Sequence, residues 1–155
     1  MSLELDWLGL AEGVTADNEQ RITLMNVSPG AFRRESFPTN LKFAIVLFFT
    51  DDEKPERLLT EGRMVKINFE VSAPDGTGIA AGSAETRVQS KTERALPPRV
   101  QFSAELTAEF PKPDFYTIST TVTLDDEVEP RLTATRTMQV VEARRSQVTP
   151  SAEEA

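Results

Sequence analysis

Between Asp114 and Leu124 the chain places Tyr116, Ile118, Thr120, Val122 and Leu124, all but the threonine largely apolar, at every second position. A period of two, rather than the 3.6 of a helix, puts these side chains on one side of a pleat, so the stretch is expected to be a strand. Tyr116 opens it directly after Pro111-Lys112-Pro113-Asp114. A tyrosine in that position begins the tyrosine corner of Ig-like sandwiches, where its hydroxyl bonds backbone a few residues upstream. The stretch specifies architecture and carries no chemistry.

The rest of the chain repeats the pattern. Leu3, Leu5 and Trp7 alternate with Glu4 and Asp6; the apolar set then moves to Leu8 and Leu10, as a bulge near Gly9 would produce. After a turn at Ala16-Asp17-Asn18-Glu19, Ile22 to Val27 completes a hairpin. Residues 41–49 are apolar on both faces, so the segment is either covered on both sides or has an interface on one. Asp51 to Leu59 is expected to make one helical turn that Gly62 stops. Val65 to Val71 alternates regularly, and the Ala- and Gly-rich 79–88 segment suits a sheet edge. Residues 90–98 form an irregular loop, and strands follow at 100–108 and 132–140, with Arg136 on the apolar side of the last, either exposed or in a buried ion pair.

About eight strands without a substantial helix predict an all-β fold, a two-sheet antiparallel Ig-like β-sandwich over residues 1–142. Residues 143–155 lack periodicity and end in Ser-Ala-Glu-Glu-Ala, which reads as a disordered acidic tail. At 155 residues the chain can bury a core without staples.

Composition narrows function by exclusion. The chain has no histidine and no cysteine. Thus the commonest general base, the commonest zinc ligand, a Ser-His-Asp triad and thiol chemistry are all missing, and no enzyme, cofactor or metal ligand is assigned. A net charge of -8 disfavours nucleic acid and anionic membranes. Met1 to Asp6 has no basic or apolar leader, and no segment is long and apolar enough to span a bilayer, so a cytoplasmic location is expected. Gly76 and Gly78 precede an Ala-rich strand rather than a helix, which fails the context of a phosphate loop.

Two constellations remain. Phe32, Arg33, Arg34 and Phe37 lie in the 28–40 loop and combine the aromatic and guanidinium groups enriched at binding hot spots. The alternative for this loop is that Phe37-Pro38 plugs one end of the sandwich. If each connection reverses the chain, Asp17, Glu19, Asp51, Asp52, Glu53, Asp125, Asp126, Glu127 and Glu129 gather at one end, tempered by Lys91 and Arg94. The Phe32–Phe37 loop, the Pro74 turn and the Pro111 corner gather at the other. Pooled carboxylates would suit a divalent cation or a carbohydrate, although no EF-hand spacing is present.

Ala11-Glu12-Gly13-Val14, Asp17-Asn18, Ile22-Thr23-Leu24-Met25-Asn26-Val27 and Phe37-Pro38 together resemble a small uncharacterised family from bacteria, chiefly actinobacteria. The likeness covers roughly the first third of the chain and implies a bacterial cytosolic source but no activity. The reading that emerges is a non-catalytic module that binds a protein partner, or a second copy of itself, through the Phe32–Phe37 loop. A cation- or carbohydrate-binding sandwich using the acidic end is the alternative.

Overall fold

The computed structural model describes residues 3–18, 22–27, 31–51, 58–60, 62–88 and 99–143. The expected helical turn after Asp51, the 90–98 loop and the tail beyond Ala143 fall wholly or mainly outside these residues. The described chain is all-β: β1 (Glu4–Ala11), β2 (Gly13–Ala16), β3 (Ile22–Met25), β4 (Phe32–Arg34), β5 (Thr39–Thr50), β6 (Met64–Ser72), β7 (Gly78–Arg87), β8 (Arg99–Phe110), β9 (Asp114–Leu124) and β10 (Leu132–Glu142).

Ten strands replace the expected eight or so, and they form three sheets rather than two: β1-β5-β8, β4-β10-β9-β6-β7 and the β2-β3 hairpin. The layering is sandwich-like, but the all-antiparallel expectation fails at one place. Phe32, Arg33 and Arg34 pair in parallel with Val140, Val141 and Glu142. The physical reason is one anchor. Phe32 is 4% exposed, so seating its ring in the core lays the adjoining backbone along the end of β10.

The core lies between the three- and five-stranded sheets. Phe43, Ile45, Leu47 and Phe49 of β5 face Ile67 and Val71 of β6 and Tyr116, Ile118, Val122 and Leu124 of β9, all inaccessible to solvent. At one end an aromatic chain crosses between the layers: Phe32 to Phe43 at 6.1 Å, Phe43 to Phe110 at 6.0 Å, and Phe110 to Tyr116 at 4.8 Å between ring centroids. The last pair is edge-to-face, the geometry ring quadrupoles favour. The Tyr116 hydroxyl donates to Lys112 O at 2.6 Å, which is the backbone bond expected of the corner. Burial pushes the phenol pKa up, and the bond to Lys112 opposes this only in part.

Both faces of β5 are covered. On the second face Ala44 and Val46 are fully buried and Phe48 is half-buried. Trp7 packs its ring 5.6 Å from that of Phe48, and β2 lies against β5 and β8, its Val14 N–H donating to Glu105 Oε1 at 3.2 Å. Strand β1 does not bulge at Gly9; its register shifts between Leu5 and Trp7. Gly9 has a different role. A Cβ there would stand 2.0 Å from the Trp7 indole, so the missing side chain is the space in which the indole lies. Phe69 uses Gly82 of β7 in the same way, at 2.5 Å. That explains why the Ala- and Gly-rich segment holds the edge of the five-stranded sheet, as its composition predicts.

Arg136 does lie on the inward row of β10, between Ala134 and Met138. It makes neither of the expected arrangements its only recourse. The guanidinium is part-buried and donates to Leu8 O of β1 at 2.9 Å, joining the edges of the two large sheets. Leu3 N donates to Arg131 O at 3.2 Å nearby in the same seam.

Candidate functional site

Strand registers place the loops. Phe32 sits beside Val140, Val140 beside Asp114, Ser72 beside Thr117, and Thr39 beside Phe110. The Phe32–Phe37 loop, the Pro74 turn and the Pro111 corner therefore share one end, as expected. Asp51 and the Asp125–Glu129 turn lie at the other, and Asp17 belongs to the separate hairpin.

The four loop residues divide by role. Phe32 is in the aromatic chain of the core, and Phe37, before a cis peptide bond to Pro38, packs half-buried against that core. Both rings contact the core, Phe32 buried in it and Phe37 half-buried against it. Arg34 is half-buried and turns back to donate from Nη1 to Arg33 O at 2.7 Å. Arg33 remains exposed, with no ion pair among the described residues.

Pairing with Val141 puts Arg33 on the outer face of the five-stranded sheet. There it joins Gln139, the next outward residue of β10, and Phe115, which pairs with Gln139 and is 56% exposed. Phe115 was missed in the sequence, although the signal is plain in retrospect: the other outward positions of β9 are Thr117, Ser119, Thr121 and Thr123. A phenyl ring on a row of hydroxyls has no packing reason to be there. The corner fixes the backbone that carries it. Phe115 N donates to Asp114 Oδ1 at 2.8 Å, Lys112 Nζ lies 3.8 Å from Asp114 Oδ2, and Tyr116 is pinned to Lys112 O.

Asp51, Asp125 and Glu127 of the acidic end are engaged internally, whereas Asp126 and Glu129 are exposed. Asp51 is 1% exposed and accepts from Leu59 N at 2.8 Å. Asp125 accepts from Arg63 Nε at 2.7 Å and from Met64 N at 3.1 Å. Glu127 lies 3.2 Å from Arg63 and 2.6 Å from Arg131. Asp52, Glu53, Glu19, Lys91 and Arg94 fall outside the described residues. Among the described residues no three acidic side chains are grouped as a metal ion would require.

The Arg63 hydrogen bond, aided by the Met64 N–H, holds the Asp125 pKa below its ordinary value of 3.8. A depressed carboxyl stabilises the fold at pH values above its ordinary value and loses that contribution as acid protonates it. The stability gap between wild type and Arg63→Met is therefore expected to narrow as pH falls below 3.8, read from urea midpoints across an acid series. A gap independent of pH would show that Arg63 acts through packing alone.

No protein-family model matches the chain, and no curated protein matches it.

Proposed function

We propose that this chain is a non-catalytic interaction module that binds a protein partner through the outer face of its five-stranded sheet, around Arg33 and Phe115. The carrying observation is their shared face: an exposed guanidinium with no ion pair among the described residues and a 56% exposed phenyl ring, set on either side of Val141 and Gln139 of β10. Arg and aromatic residues dominate binding hot spots because each desolvates a large planar surface at small entropic cost. The hydrogen-bonded corner fixes the backbone from which the ring projects, so less freedom is lost there on binding, which favours affinity. The partner surface that complements this patch has a carboxylate for Arg33 next to an apolar recess for Phe115.

This retains the loop as the source of Arg33 while moving its aromatic companion from Phe32 or Phe37 to Phe115. The absence of histidine and cysteine from the sequence supports the non-catalytic part. An Ig-like kinship belongs to the same proposal and rests on the Tyr116 corner. So does a bacterial, cytoplasmic setting, which rests on the sequence alone. No described helix is long and apolar enough to cross a membrane.

The test is affinity capture from a native lysate with three baits: wild type, Arg33→Glu and Phe115→Ser. A partner held by wild type should lose at least tenfold in affinity with each variant, a hot-spot-sized effect of about 1.4 kcal/mol or more. Both residues lie on the surface, so the melting temperature should stay within a degree or two of wild type. Equal capture by all three baits would remove this face from consideration.

A further inference from the structure

Among the described residues, the edges of the two large sheets differ in how they are protected. At β1 the Arg136 guanidinium takes Leu8 O and Arg131 O takes Leu3 N–H. Strand β4 is three residues long, and Arg34 covers Arg33 O. Strand β8 has β2 across the face it shares with β5, tied through Glu105, and approaches β7 on its other side. These are the usual protections against strand addition. Strand β7 is less protected than these: its charges are confined to Glu85 and Arg87, its register shifts only near Gly78, and it also approaches β8. It is ten residues long, pairs only with β6 among the described strands, and from Gly78 to Ala84 contains no charge and no proline.

Its free backbone groups can be assigned. Val88 N donates to Arg63 O at 2.9 Å and Val88 O accepts from Gly62 N at 2.8 Å, so Val88 points toward the β6 side. Alternation then turns Ala80, Gly82, Ala84 and Thr86 toward β6 and leaves the N–H and C=O groups of Ala81, Ser83, Glu85 and Arg87 on the open edge. An independent bond agrees: Met64 O accepts from Asp125 N, so the even residues of β6 face β9 and the odd ones face β7.

We propose that β7 pairs antiparallel with β7 of a second copy of this chain about a two-fold axis at Ser83, joining the two five-stranded sheets. The sequence of the edge is what singles out a second copy. With Ser83 opposite Ser83, Ala81 faces Glu85 and Ile79 faces Arg87 of the other chain, and Ala84 faces Gly82 on the inward row. Like charges never meet, and small side chains let the backbones close to ladder distance. The two charged residues of β7 are also drawn toward their own hairpin: Lys66 Nζ lies 3.6 Å from Glu85, and Arg87 Nη1 donates to Gly62 O at 3.1 Å. The contact is isologous, so it closes as a dimer rather than growing into a fibre. On the inward row, Phe69 lies across Gly82 with its ring 6.4 Å from that of Phe102, so a second sheet edge there extends half-buried apolar surface.

This edge is separate from the Arg33–Phe115 face, so either proposal can fail alone. Sedimentation equilibrium of the full chain, from low micromolar to several hundred micromolar, is the test. Wild type is expected to give the dimer mass. Ser83→Pro removes an N–H that faces the open edge and not the ladder to β6, and is expected to sediment as a monomer with an unchanged far-UV circular dichroism spectrum. Ser83→Lys places two ammonium groups together at the axis and should do the same if proline disturbs the strand. Amide exchange supplies the local readout: Ala81, Ser83, Glu85 and Arg87 should be protected at dimer concentrations and exchange at least tenfold faster in a folded monomeric variant. A wild-type monomer throughout the range, or a dimer that survives Ser83→Lys with these amides unprotected, overturns the proposal.

Discussion

Phe32→Ala is expected to cost about 3–5 kcal/mol, the range for deleting a buried phenyl ring, whereas Arg33→Ala should stay within about 0.5 kcal/mol. Phe32 is 4% exposed and packs edge-on at 6.1 Å against Phe43, which continues through Phe110 to the Tyr116 corner. Truncation removes transfer energy and opens a cavity at the end of the core. It also removes the anchor that lays β4 along β10. Against a typical total of about 5–15 kcal/mol, such a loss is roughly a fifth or more of the fold's stability. Urea unfolding of the two single variants measures both numbers. Comparable effects from Phe32→Ala and Arg33→Ala would contradict the division of the loop into an anchor and a presented residue.

Gly9→Val is the second large effect, about 1–3 kcal/mol of overpacking. Its Cβ alone would stand 2.0, 2.4 and 2.6 Å from three atoms of the Trp7 indole, so the ring must leave. Leaving breaks the 5.6 Å contact with Phe48 and uncovers part of the outward face of β5. Trp7 is the sole tryptophan, so its fluorescence reports this directly: emission should shift to the red in the folded variant, together with the lower urea midpoint. Unchanged emission would mean that the indole does not rely on the space above Gly9.

Those two residues also mark where periodicity stops being informative. The alternation of Val65 to Val71 and of Tyr116 to Leu124 gave β6 and β9 with their inward rows, because a half-buried strand repeats every two residues wherever it sits. The doubly apolar 41–49 segment was legible as covered or interfacial, yet only the packing of Trp7 and the β2-β3 hairpin decided between them. The first strand's change of face was visible, but its register shift fell at Leu5/Trp7 because pairing with β5, not the local sequence, sets it. Strand β4 was invisible. Three residues have no period, and a parallel pairing is made by a partner more than a hundred positions away.

The candidate site divides the same way. Arg33 stood out by type, but its sequence neighbours Phe32 and Phe37 do not share its surface; alternation turns Phe32 inward, and the companions that register supplies are Phe115, Gln139 and Val141. The acidic runs were equally plain, but which carboxylates stay available depended on Arg63 and Arg131 reaching Asp125 and Glu127.

By itself, then, the sequence determined the all-β class, the inward rows of its regular strands, the edge position of the Gly/Ala-rich segment and the Tyr116 corner. Each of these follows from local alternation and side-chain size. Only the tertiary structure decided the sheet order, the parallel strand, the fate of each charged group and which exposed residues share a face, because those depend on registers between segments far apart in the chain.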